Sequence, residues 1–125
     1  MAMTWLAVVV GGAIGAPLRY LLDRFVTFRT GGATRARALP WGLLVVNTLG
    51  SALAGIVITA TSGDLRVLLL AGFCGAFTTF SGFAWEVDRL WDERREDFWI
   101  AIALMTGSCV VAFLLAAGFT AFLVT

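Results

Sequence analysis

The stretch GFCGAFTTFSGFAW, Gly72 to Trp85, is uncharged and apolar enough to lie in a bilayer. Yet its fourteen residues include three glycines, two adjacent threonines, a serine and four phenylalanines. Gly75, Thr78, Thr79, Ser81 and Gly82 all favour departure from a regular helix. In lipid, an interrupted helix is tolerated only where it is buried in protein or lines a wet cavity. An interruption also frees carbonyl oxygens, and carbonyls freed at mid-membrane can coordinate a cation. Phe80 and Phe83 are three apart and share a face. An aromatic ring is negative on its face and positive at its edge. Rings presented edge-on therefore attract a small anion without a fixed charge, and so weak a site lets the ion leave as well as enter. The same residues also suit a greasy helix whose glycines serve only packing. Composition leaves both readings open.

The rest of the chain resembles this stretch in polarity. Of 125 residues, 60% are hydrophobic and only 14% charged. Ordinary soluble domains carry about 25% charged residues, so the bilayer is the natural solvent. Four stretches have the roughly 20 apolar residues that a crossing requires. They run from about 5 to 22, 41 to 60, 67 to 85 and 98 to 124, in a single four-helix transmembrane domain spanning 1–125. The amino end of the first has no Lys or Arg and only poor cleavage motifs near Ala16, so it is expected to be a retained helix rather than a signal peptide.

The connections are polar. Residues 23–40 are expected to form a loop with a Gly31-Gly32 turn, and 61–66 a tight link. The segment EVDRLWDERRED, 86–97, sets opposite charges three apart, as in Glu86 with Arg89 and Asp92 with Arg95, which suits a helical turn or two beyond the membrane. Arg24, Arg29, Arg35, Arg37, Arg89, Arg94 and Arg95 fall in the first and third connections, and Arg66 alone in the second. The positive-inside rule places the first and third connections in the cytoplasm and both termini outside.

Several function classes drop out. A net charge of +1 leaves no basic excess for nucleic acid. There is no histidine, hence neither the commonest general base nor the commonest metal ligand. Enzyme chemistry is not expected. Cys74 and Cys109 lie in apolar stretches and match no zinc or redox spacing, which suits small buried residues.

Polar atoms within the spans narrow the field. Helices in lipid associate through small residues and buried polar contacts. The second span has Gly50 with Ala54, Ser51 with Gly55, and Asn47 one turn before Ser51. Asn47 can be interhelical glue, or its amide NH₂ can point at an anion. In the first span Gly11, Gly12 and Gly15 permit close approach, and Pro17 removes a helical hydrogen bond. Arg19 can snorkel to headgroups or line a wet vestibule, with Asp23 positioned as its partner. Thr106 and Ser108 in the last span can bond back to the preceding turn or line a polar track.

Three segments together resemble the Fluc (CrcB) fluoride channels: GGAIGAPLRY, WGLLVVNTLGSALAG and GFCGAFTTFSGFAWEV. The likeness covers essentially all of the chain, and the third segment is similar to the family pattern G-x-x-G-x-x-T-T-F-S-T-F. It implies an all-α membrane protein of four transmembrane helices, the third interrupted near its middle, in an antiparallel, dual-topology-like dimer of the bacterial inner membrane. It implies two pores per dimer, lined by Phe80, Phe83, Asn47, Arg19, Ser81 and Ser108. It implies a structural sodium ion on the dimer axis, held by the carbonyls of Gly75 and Thr78. Transport would be passive: fluoride enters as HF, ionises in the cytoplasm and leaves through the channel, giving fluoride resistance. The implied partners are fluoride, sodium, the lipid bilayer and a second subunit, with no nucleic acid.

Two features depart from that pattern. Gly82 stands where the family carries a threonine whose hydroxyl contributes to the polar lining. The arginine bias is also unlike members that insert both ways. Together they raise a heterodimer with a paralogous subunit of opposite orientation beside a homodimer. Two other classes compare poorly. A proton-coupled small multidrug exporter needs a carboxylate within the membrane, and Asp23, Asp64 and Glu86 all stand at span ends. A non-transporting assembly subunit explains the small residues but not Asn47 together with Phe80 and Phe83.

Overall fold

The computed structural model describes residues 2–30 and 39–125. Four helices in it are long and apolar enough to cross a membrane: Ala2–Arg29, Trp41–Ala60, Gly63–Glu93 and Arg95–Val124. The first outruns its expected end at residue 22 by about two turns. Asp23 does not open a loop, because i,i+4 contacts carry the helix onward. Arg24 Nη1 donates to Tyr20 Oη at 3.1 Å, Thr27 Oγ1 to Asp23 Oδ1 at 3.4 Å, and the Arg29 guanidinium lies 5.2 Å from the Phe25 ring centre. The expected Gly31-Gly32 turn, Arg35 and Arg37 lie outside the described residues.

The second helix has the expected bounds. A tight link follows, in which the Arg66 guanidinium donates through Nε to the Thr61 carbonyl at 2.7 Å. Gly63, at φ +60°, takes the left-handed conformation that reverses the chain.

The third span is built in pieces. Gly63–Arg66 is α-helical, Val67–Cys74 widens to a π-helix, and Gly75–Phe77 returns to α. Thr78 and Thr79 are then extended, at φ −80°, ψ 159° and φ −145°, ψ 116°. A new helix, Phe80–Glu93, completes the crossing. The interruption is thus at mid-span but narrower than expected. Gly75 is helical, because the π winding absorbs the irregular stretch before it.

Arg94, at φ −157° and ψ 87°, breaks the chain before the last helix. The expected Glu86–Arg89 pair forms at 2.7 Å, but Asp92 and Arg95 straddle the break and lose their helical register. Arg89 reaches Glu93 at 3.4 Å, Arg94 pairs with Asp97 at 2.6 Å, and Arg95 stacks 4.5 Å from the Trp91 ring centre.

Glycines set the helix crossings. A Cβ on Gly15 would lie 2.5 Å from Phe73 O, and one on Gly72 would lie 2.9 Å from Ala7 O. The first helix and the start of the third span therefore touch backbone to backbone. On the other side of the second helix, a Cβ on Gly55 would lie 2.5 Å from Phe113 O of the last helix. Val46 of the second helix is fully buried, whereas Trp5, Ile14, Leu115 and Phe122 are exposed in broad apolar faces suited to lipid or another chain.

Candidate functional site

The break in the third span is held open by Asn47. Its Oδ1 accepts from Thr79 N–H at 2.8 Å, and its Nδ2 donates to Thr79 O at 3.2 Å. One side-chain amide thus replaces the hydrogen bond that Thr79 N–H would have made to the preceding turn, and adds a second bond to the carbonyl of the residue that caps the next helix. The second Nδ2 hydrogen remains available. Thr78 ends the preceding helix by donating through both N and Oγ1 to Cys74 O, each at 2.9 Å. Thr79 begins the next as its N-cap, with Oγ1 accepting from Gly82 N–H at 3.1 Å. Ser81 Oγ lies 3.2 Å from the same oxygen.

Beyond the helical ladder, no hydrogen bond among the described residues ends on the carbonyl of Gly75 or Thr78. Nor does any group of three His, Cys, Asp or Glu come together among them.

Two cavities meet at the break. One, of about 520 Å³, is a vestibule lined by Arg19, Asp23, Trp41, Leu43, Glu86 and Arg89, with Thr79 and Gly82 at its floor. The other, of about 350 Å³, is lined by Phe80 and Phe83, by Asn47, Ser51, Thr78 and Thr79, and by Thr106 and Cys109 of the last helix. The Phe80 and Phe83 rings lie 5.9 Å apart and 48° from parallel. Phe80 is 80% exposed, so its edge is open to a ligand or a neighbouring chain.

The other expected residues divide between these places. Arg19 lines the vestibule and makes no ion pair among the described residues; the anticipated pairing with Asp23 does not form. Ser81 is exposed beside the break. Ser108 turns toward the second helix, with its Oγ 2.8 Å from Thr48 Oγ1 and 3.3 Å from Met105 O, away from the phenylalanine-lined cavity. Gly82 lines the vestibule rather than that cavity, and a Cβ there would lie 3.1 Å from both Leu43 Cδ1 and Thr79 Cγ2.

Sequence reasoning missed the cap role of Thr79, the Thr48 partner of Ser108 and the lining role of Cys109. A polar residue directly after Asn47 in an otherwise apolar span was the available signal for Thr48. Nothing marked the other two.

Residues 6–119 match the family model described as "CrcB-like protein, Camphor Resistance (CrcB)". The chain is 40% identical over 93 residues to "Fluoride-specific ion channel FluC 1" of Streptomyces avermitilis, covering 70% of this chain and 71% of that protein. It is 38% identical over 121 residues to the like-named protein of Frankia casuarinae, covering 89% and 88%. It is 39% identical over 119 residues to that of Symbiobacterium thermophilum, covering 88% and 91%.

Proposed function

Since the chain belongs to the CrcB/FluC family of fluoride channels, we propose that it is a fluoride-selective passive channel exporting cytoplasmic fluoride. It is a multi-pass membrane protein of a bacterial family of non-enzymatic ion channels. The observation that carries the reading is the break at Thr78–Thr79. There Asn47 clamps the chain, and Phe80 and Phe83 line the same cavity as that amide. An anion would meet positive ring edges and an amide N–H in a site with no fixed charge, strong enough to strip some water and weak enough to release the ion. The vestibule's charges balance, Arg19 and Arg89 against Asp23 and Glu86, so Arg19 would act on an entering anion by local contact.

The proposed assembly is an antiparallel dimer with two pores, in the bacterial inner membrane. Sodium at its axis would be held by the Gly75 and Thr78 carbonyls of both subunits. Outside the helical ladder, no hydrogen bond among the described residues ends on those carbonyls, which supports the reading. The partner is a second copy of this chain or, as the arginine bias raises, a paralogous chain of fixed opposite orientation. Ser108 would contribute through Thr48, and Ser81 from the edge of the break.

Liposomes carrying the purified chain, alone or with a paralogue from the same source, should release fluoride and retain chloride. Absence of fluoride release in both preparations overturns the reading. Full activity of the chain alone overturns the paralogue requirement. Phe80→Ile and Phe83→Ile should each cut the flux at least about tenfold in an assembled protein, and unaltered flux in both refutes the ring-edge site. Exchange of sodium for a large organic cation should dissociate the dimer; an unchanged assembly after prolonged exchange argues against the carbonyl site.

A further inference from the structure

Thr79 lines both the vestibule and the phenylalanine-lined cavity, and no other residue named around either is shared. Its main chain cannot swing, because Asn47 holds both its N–H and its C=O. Its hydroxyl is less constrained. Thr79 Oγ1 accepts from Gly82 N–H and lies 3.2 Å from Ser81 Oγ, where either oxygen can be the donor. Two hydroxyls joined by one hydrogen bond leave one O–H over. When Ser81 donates, the Thr79 O–H is free; when Thr79 donates, that of Ser81 is free. Reversal needs only two C–O rotations and leaves the cap on Gly82 intact.

We propose that Thr79 is the hand-over point of the pathway, its hydroxyl donating to the anion as it passes from the vestibule to the phenylalanine-lined cavity, with Ser81 exchanging the spare hydrogen. This rests on the anion-channel reading above. It differs from a purely structural role, in which Thr79 only caps the helix that begins at Phe80.

Capping and donation separate by substitution. Asp is among the best N-caps and Gly is nearly as good as Thr, but neither side chain offers a hydrogen to an anion at neutral pH. The wild type, Thr79→Ser, Thr79→Asp and Thr79→Gly are purified, sized in detergent and assayed for fluoride efflux in the same liposomes. Thr79→Ser should stay within about twofold of the wild type. Thr79→Gly should fall at least about tenfold, the loss of a hydrogen bond to a charged ion. Thr79→Asp should fall further, since its carboxylate also repels the anion. Wild-type flux in an assembled Thr79→Asp or Thr79→Gly overturns the hand-over and leaves the channel reading standing. Failure of the wild type itself, both alone and with the paralogue, overturns the channel reading. If Thr79→Asp does not assemble, Thr79→Gly decides alone.

Discussion

The two halves of the third span belong to one crossing but are held in opposite ways. Residues 63–77 lie backbone to backbone on the first helix, through Gly11, Gly15 and Gly72. Phe80–Glu93 has no such seam. It is amphipathic, starts on the Thr79 cap and is tied back at its start through Asn47. The first half cannot shift without moving a helix. The second can reorient its rings, and it is the half that carries Phe80 and Phe83. Close packing anchors one half, while polar contacts hold the half that lines the phenylalanine-lined cavity.

The largest expected effect breaks the anchored half. Gly72→Leu would place a side chain 2.9 Å from Ala7 O and 3.0 Å from Gly11 Cα. Overpacking against movable side chains costs about 1–3 kcal/mol, and here the obstacle is backbone. No monodisperse protein should be recovered by size-exclusion chromatography. Gly75→Ala, three residues on, is the contrast. Its Cβ would meet only Leu70 O at 3.8 Å, so the same assay should show protein of nearly wild-type stability.

Next comes the tie of the other half. Asn47→Leu removes two hydrogen bonds and leaves Thr79 N–H without its partner, while Thr79 C=O keeps the first bond of the helix that it caps. A loss of about 1–3 kcal/mol is expected. Thermal unfolding in detergent should register it. Hydrogen exchange should rise at Thr79 and the first turn of Phe80–Glu93 and stay unchanged over 63–77; equal loosening of both halves would contradict the comparison. Asn47→Asp keeps the acceptor for Thr79 N–H and should lose less when its carboxylate is unprotonated, the form that accepts most strongly.

The contrast also explains what could be read from the chain alone. Span number and placement follow from runs of apolar residues, a local property, and the second helix was placed at its observed bounds. That the third span breaks near its middle followed from clustered glycine and hydroxyl residues. Its extent did not follow, because a π-helix can absorb Val67–Cys74 and leave Gly75 helical. Asn47 stood out as a costly polar group, but its partner lies 32 positions away, and Ser108 finds Thr48 at a separation of 60. Such pairings depend on how helices cross, and no local pattern encodes that. The Asp92–Arg95 pair failed for the converse reason: a local rule was applied across a local break.

Ser108→Ala should be milder. It deletes a single interhelical contact to Thr48, and such contacts average about 0.6 kcal/mol in membrane proteins. The melting temperature should fall slightly, with no change in hydrogen exchange at Thr79, since the contact lies between the second and last helices rather than at the break.

The smallest effect is expected at Gly82, and its sign rests on two opposed terms. Ala in place of Gly within a helix gains up to about 1 kcal/mol, less in a first turn such as this. Against it, the new Cβ would sit 3.1 Å from Leu43 Cδ1 and from Thr79 Cγ2. The Leu43 atom is the tip of a side chain and can yield. The Thr79 methyl sits on a residue whose main chain is clamped by Asn47 and whose hydroxyl caps Gly82 itself, so it yields less. Gly82→Ala should therefore come out within about 1 kcal/mol of neutral in stability. Adding Leu43→Ala relieves one of the two contacts. If Leu43 supplies the resistance, the double variant is more stable than the two single changes sum to, by an interaction energy of about 0.5 kcal/mol or more. If the changes simply add, the resistance comes from Thr79, and position 82 belongs to the clamped break rather than to the vestibule wall.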